Sequence, residues 1–222
     1  VQRLRAAIEH GWPRRLESEE HSHAGMAAAY AAGASGLPFA VLRGYAGTDL
    51  PAHNPNIRFV SCPFTGESLV AVRAIQPDVT ILHVQRADRE GNAHVWGNFG
   101  VMREAAFAAK QVVLTCEEIV EHEMILRDPN RTIIPGFLVA SVAQVPFGAY
   151  PSPTQGYSRR DDEFYFDYHR ATRNREGFEQ WLAKYVYGVA DHAGLLALLG
   201  KERLAKLQPQ GDLFAPAVSF NY

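Results

Sequence analysis

The 222-residue chain has only two cysteines, Cys62 and Cys116, each inside an apolar run (IRFVSC and VVLTC) and neither in a Cys-x-x-Cys pair. That excludes a disulfide-stapled scaffold and reads as two buried thiols of a reducing compartment. No run of about 18 apolar residues exists, so no membrane-crossing helix is expected. The opening VQRLRAAIEHGWPRR lacks the apolar core of a secretory signal. The cytoplasm is the expected location. Lys+Arg 22 against Asp+Glu 24 leaves no basic surplus, so no field that recruits nucleic acid or an anionic membrane is implied. A nucleotide P-loop, a zinc-ligand spacing and a G-x-S-x-G elbow are all missing.

What is present is a series of strand-length apolar runs separated by helix-like segments. The runs are FAVLR (39–43), IRFVSC (57–62), LVAVRAI (69–75), VTILHVQ (79–85), VVLTC (112–116) and FLVASVAQV (137–145). Continuous β-branched runs suit strands covered on both faces, which predicts an α/β sheet. SHAGMAAAYAAGAS (22–35) and GVMREAAFAAK (100–110) have helix-forming composition, with enough Ala and Gly to pack closely on that sheet. After the Pro-rich link VPFGAYPSPTQGY (145–157) the texture turns helical and aromatic. We therefore expect an α/β domain over 1–157, a helical region of the same domain over 158–208, and a tail over 209–222 with little pattern and poor order.

The stretch ILHVQRADREGNAHVWG (81–97) concentrates His, Asp, Glu and Trp. Asp88 can accept from backbone N–H groups two residues on, Gly91 can take positive φ and Asn92 tolerates the left-handed region, so ADREGN is a turn. A metal site would require His83, inside the first strand, to converge with Asp88 and His94, and the reading goes against it. GNFG (97–100) enters a helix and could present backbone N–H groups of Gly97, Asn98 and Gly100 to an oxyanion. An ordinary strand-to-helix turn explains the same residues.

RLESEEHSHAGM places Glu17, Glu19, Glu20, His21 and His23 between an expected short strand and the Ala-rich helix. Ser22 is a candidate N-cap, and acidic residues suit a helix start. Glu19, Glu20, His21 and His23 are more ionisable groups than a cap requires, which makes them candidate site residues. Glu117 and Glu118 are expected to begin a helix after VVLTC, with Glu117 able to face a cleft. Arg127, Asp128 and Arg131 read as a solvated turn. Tyr165, Tyr168, Trp181, Tyr185 and Tyr187 read as packing or subunit contacts.

Taken together, the A-D-x-x-G-N turn (Ala87, Asp88, Gly91, Asn92), the CPFTGE turn, EEIV (117–120), DPNRTIIPG (128–136), EEHSHAG (19–25) and WLAKYVYGVAD (181–191) resemble the A subunit of a family I coenzyme A transferase of the glutaconate CoA-transferase type. The resemblance covers roughly residues 1–200. It implies a three-layer, Rossmann-like open sheet flanked by helices, with a helical C-terminal region. It also implies CoA exchange between an acyl-CoA and a small carboxylic acid through a thioester on a glutamate of a partner B subunit, in a heterodimer or higher hetero-oligomer. The CoA thioester is then a substrate, and no tightly bound cofactor or metal is expected. The A subunits of the family begin several dozen residues earlier, so the chain is expected to be truncated, with a sheet edge that a partner must cover.

Glu20 is the candidate catalytic residue of a second reading. A related branch, the ring-cleaving CoA-thioester hydrolases, uses an acidic residue in the corresponding segment, where Glu20 would be a general base on water. Glu19, His21, His23, Gly97, Asn98 and Gly100 are the candidate substrate and oxyanion contacts. A non-catalytic module binding acyl-CoA or a sugar phosphate, and a subunit that only buttresses its partner, are further alternatives.

Overall fold

The structure is a computed structural model describing residues 2–11 and 14–209. Helix α1 (Gln2–His10) is followed by the irregular segment 14–22 and then α2 (His23–Ala34). Among the described residues no strand precedes Glu19, where a short one was expected. Ser22 caps α2 by accepting from Gly25 N at 3.1 Å, so the helix starts where the capping residue placed it. Strand β1 (Phe39–Leu42), helix α3 (Leu50–His53), β2 (Ile57–Ser61) and β3 (Ser68–Arg73) follow. The three strands form an antiparallel sheet in the order β1-β3-β2. Its inner face buries Ile57, Val70 and Val72 against Ala29 of α2 and the ring of Tyr45.

A second sheet is built from β4 (Val79–Ala87), β5 (Ala93–His94), helix α4 (Met102–Ala108), β6 (Gln111–Ile119), helix α5 (His122–Leu126), β7 (Thr132–Ile134) and β8 (Val139–Gln144). Its strand order is β7-β5-β4-β6-β8; β4, β6 and β8 are parallel, and β5 pairs antiparallel with both β4 and β7. Val84, Val112, Leu114 and Cys116 are fully buried there against Ala106 of α4. Burial also pushes the Cys116 thiol up to about 11, so it behaves as a packed apolar group. The C-terminal region consists of α6 (Asp162–Ala171), α7 (Arg175–Tyr185), α8 (His192–Leu199) and α9 (Lys201–Lys206). No helix among the described residues is long and apolar enough to cross a membrane.

The six apolar runs all fall on strands, but they divide between two sheets. Strand β5 is only the two residues Ala93 and His94. The helix expected at Glu117 and Glu118 is corrected: β6 runs on through Ile119, and the helix starts at His122. A carboxylate can end a buried strand here because Glu117 finds donors on both sides, as described below. Residues beyond Pro209, and with them most of the expected tail, lie outside the described residues.

Residues 145–157 lie back over the C-terminal half of the parallel strands. Val145 N donates to Cys116 O at 2.7 Å, and Gln85 Nε2 donates to Trp96 O at 2.9 Å and Gln155 O at 3.4 Å. The N-terminal half of the same face is bare: Val79 is 48% and Ile81 71% exposed. On that side β4 is paired with β5 only at Arg86 and Ala87.

Candidate active site

The segment 17–22 and helix α3 enclose an open cleft of about 720 Å³ lined by Glu17, Glu19, Glu20, Asp49, His53 and Asn54, among others. The side of it next to α2 is rigid. Tyr45 has φ 71° and is buried, a left-handed conformation that a bulky residue adopts only when its surroundings impose it. Its hydroxyl accepts from Ser22 N at 3.1 Å and lies 3.2 Å from His21 Nδ1. His21 Nε2 lies 2.6 Å from Glu19 Oε1. With the Tyr45 hydroxyl donating to Nδ1, the imidazole is assigned as the Nε2–H form, which donates to Glu19.

Glu19 Oε2 accepts from Asn56 Nδ2 at 2.9 Å, and Asn54 Nδ2 donates to the Glu20 carbonyl at 2.9 Å. The bond from His21, reinforced by Asn56, holds the Glu19 carboxyl below its usual range although partial burial opposes this. Gly25 makes room for the arrangement, since a Cβ there would lie 1.6 Å from the Tyr45 hydroxyl oxygen.

Of the expected residues in this segment, Glu19 and His21 are therefore tied together. His23 is the exposed first residue of α2. The Glu20 side chain is exposed on the cleft rim and makes no hydrogen bond or ion pair among the described residues. Composition alone drew attention to the cluster. Tyr45, Asn54 and Asn56, which organise it, lie more than twenty residues away and carry no local signal.

The glycine loop lies on a different recess, and the two groups of candidates do not share a cavity. Gly97 and Gly100 take φ 90° and 53°, and the whole loop is exposed. Gly100 N donates to Asn98 Oδ1 at 3.1 Å, which occupies one of the expected oxyanion donors. A Cβ on Gly97 would lie 2.1 Å from Gln155 Oε1, which a side-chain shift could relieve, but the positive φ itself favours glycine here.

Beside the loop, a recess of about 190 Å³ is lined by His83, Gln85, Trp96, Asn98, Thr154 and Gln155, among others. At its floor His83 Nε2 lies 3.0 Å from Glu117 Oε1 and His83 Nδ1 lies 2.9 Å from Thr115 Oγ1. Glu117 Oε2 accepts from Phe147 N at 2.7 Å. Burial pushes the Glu117 carboxyl up, but the bonds from His83 and Phe147 outweigh it and hold it below the usual range. The buried Thr154 hydroxyl in the same recess makes no hydrogen bond among the described residues.

His83, Asp88 and His94 do not converge. Asp88 instead takes His122 Nδ1 at 2.8 Å, with Glu90 nearby. Its oxygens already accept from Glu90 N, Asn92 N and Asn92 Nδ2. With the imidazole added, a cation would find no open lone pair on this carboxylate. His94 is a core residue whose Nε2 donates to Ile125 O at 3.2 Å, and burial lowers its pKa.

Three comparisons bear on this geometry. A family model described as Coenzyme A transferase matches residues 11–144. The chain is 50% identical over 202 residues to the A subunit of 3-oxoadipate CoA-transferase from Pseudomonas knackmussii, covering 90% of this chain and 71% of that protein. It is 33% identical over 210 residues to the A subunit of glutaconate CoA-transferase from Acidaminococcus fermentans, covering 87% of this chain and 66% of that protein. The crystal structure of glutaconate coenzyme A-transferase from the same organism superposes with a TM-score of 0.87 at 32% identity, over 94% of this chain and 70% of that one.

Proposed function

This chain belongs to the coenzyme A transferase family, and we propose that it is the A subunit of a two-subunit enzyme exchanging CoA between an acyl-CoA and a small carboxylic acid through a thioester on a glutamate of its B-type partner. That carboxylate attacks the acyl-CoA carbonyl, the C–S bond breaks, and CoA departs as a thiolate, leaving an acyl-glutamyl mixed anhydride. The thiolate then attacks the glutamyl carbonyl, releasing the acid and leaving the glutamyl-CoA thioester. An incoming acid runs the same steps in reverse. The names of two relatives, 3-oxoadipate and glutaconate CoA-transferase, support an acyl group that carries a second carboxylate.

The observation that carries the reading is the match to both of these relatives, and three glutamates of this chain are already engaged. Glu19 is bonded to His21 and Asn56, Glu117 to His83 and Phe147 N, and Glu118 to Tyr157 and Arg86. These three carboxyl groups already have partners on their oxygens, so none of them is presented free to attack a carbonyl. In this reading the chain supplies a wall of the cleft, with Gly97 and Asn98 as donors toward developing charge on the thioester oxygen. Coenzyme A enters as substrate, and the enzyme works in the cytoplasm.

Glu20 favours a second reading, because a carboxylate free of partners on a cleft rim can act as a general base on water. Coexpression with the B-type partner, followed by assay with acyl-CoAs in the presence and absence of free acid, separates the two. A transferase exchanges CoA only when acid is added, and Glu20→Gln leaves its rate within about threefold. A hydrolase cleaves a C–C bond in water, and Glu20→Gln costs it about 10²-fold or more.

A further inference from the structure

We propose that Arg73 binds the distal carboxylate of a dicarboxylic acyl group in the recess on the far side of Glu19. The proposal rests on the reading that the substrate acid has two carboxylates. A recess of about 470 Å³ is lined by Glu19, Pro38, Asn56, Arg73, Ala74, Ile75 and Gln76, a size common for small-ligand sites. Glu19 lines both this recess and the larger cleft. The cleft itself is a poor place for an anion, since Glu17, Glu20 and Asp49 also line it.

Arg73 is the sole cation among the residues lining the recess, and it has no ion pair among the described residues. Its one polar side-chain contact there is Nη1 to Asn56 Oδ1 at 3.5 Å, at the limit of a hydrogen bond. Glu19 makes no direct ion pair with it, its oxygens being bonded to His21 and Asn56. Asn56 therefore stands between the two charges and leaves the guanidinium fork open to a ligand.

The walls are preformed. Arg73 N donates to Asn56 O at 2.9 Å, Ala74 N to Pro38 O at 3.0 Å and Ile75 N to Ala29 O at 3.1 Å. A second guanidinium strengthens the field. Arg58 is opposite Ala71 in the β2–β3 register, which makes it the diagonal neighbour of Arg73 on the outer face of the sheet. It too has no ion pair among the described residues; its Nη1 contacts only the Ile57 carbonyl, at 3.4 Å. Two like charges set side by side without counterions favour an anion, and the planar fork of arginine matches a carboxylate in a bidentate pair.

The test uses the coexpressed two-subunit complex and acceptor acids of one chain length, glutarate against pentanoate. The wild type is expected to prefer glutarate. Arg73→Ala should raise the glutarate KM about tenfold or more, the size of a charged hydrogen-bonded contact, with kcat and the pentanoate KM unchanged. Arg73→Lys should recover part of the loss and Arg58→Ala should show a smaller one. Equal effects on both acids, or no effect on either, overturn the proposal. Calorimetric titration with glutarate decides it independently of turnover. If the complex exchanges no CoA at all, the functional reading falls, while glutarate binding that Arg73→Ala abolishes still supports the site. Glutarate binding unchanged in Arg73→Ala removes it.

Discussion

A single hydroxyl, that of Tyr45, joins the helix cap to the ionisable cluster. It accepts from Ser22 N and faces His21, and the imidazole in turn holds Glu19. Tyr45→Phe would leave the Ser22 N–H without its partner and His21 free to turn, and should cost about 1–3 kcal/mol by urea unfolding. His122 makes a pH prediction. Its bond to buried Asp88 raises its pKa above the ordinary histidine value. A folded pKa that is raised contributes stability that is fully present below the unfolded value and is lost as pH rises through the folded one. The stability margin of the wild type over His122→Gln should therefore shrink between about pH 6 and pH 8, while buried His94, whose pKa is lowered, acts with the opposite sign in both proteins. Asp88 acts oppositely: its carboxyl is held low, so its contribution fades only in acid. The Asp88, Gly91 and Asn92 turn was legible because its partners lie within four residues. Tyr45 and Arg73 were not, because what gives each its role is a neighbour brought in by the fold.

Among the elements, the strands could be read from their β-branched runs, whereas their division into two sheets could not, since pairing is long-range. Glu117 shows why an end was misjudged. A glutamate after VVLTC reads as a helix start, but His83, 34 residues earlier, and Phe147, 30 residues later, supply the donors that keep it in the strand. The C-terminal helices are fastened in the same non-local way. Asp161 accepts from Phe164 N as the cap of α6, from the Tyr150 hydroxyl, and from Arg203 at 2.5 and 2.9 Å. Asp161→Ala removes the cap and leaves a half-buried guanidinium unpaired, which should cost about 3 kcal/mol or more in a denaturant titration. Asp161→Asn, which keeps the cap and an acceptor for Tyr150, should cost less. The link 145–157 reads as a candidate boundary from its Pro and Gly content, yet its backbone is bonded to the parallel strands.

At the scale of the whole molecule, the five-stranded sheet packs against α4 on one face, while the N-terminal half of its other face is bare. Ile81 stands 71% exposed beside an edge of β4 that is paired only at its end. Open edges and bare apolar faces are what globular proteins normally cover, in keeping with a chain that works as one part of an assembly. The central claim is that the chemistry needs a second, B-type chain. The most direct measurement follows CoA exchange from an acyl-CoA to an added dicarboxylic acid, using this chain alone, the B-type partner alone and the coexpressed complex. Exchange is expected from the complex only, and only with acid present. Exchange by this chain alone, or acid-independent turnover by the complex, would contradict it.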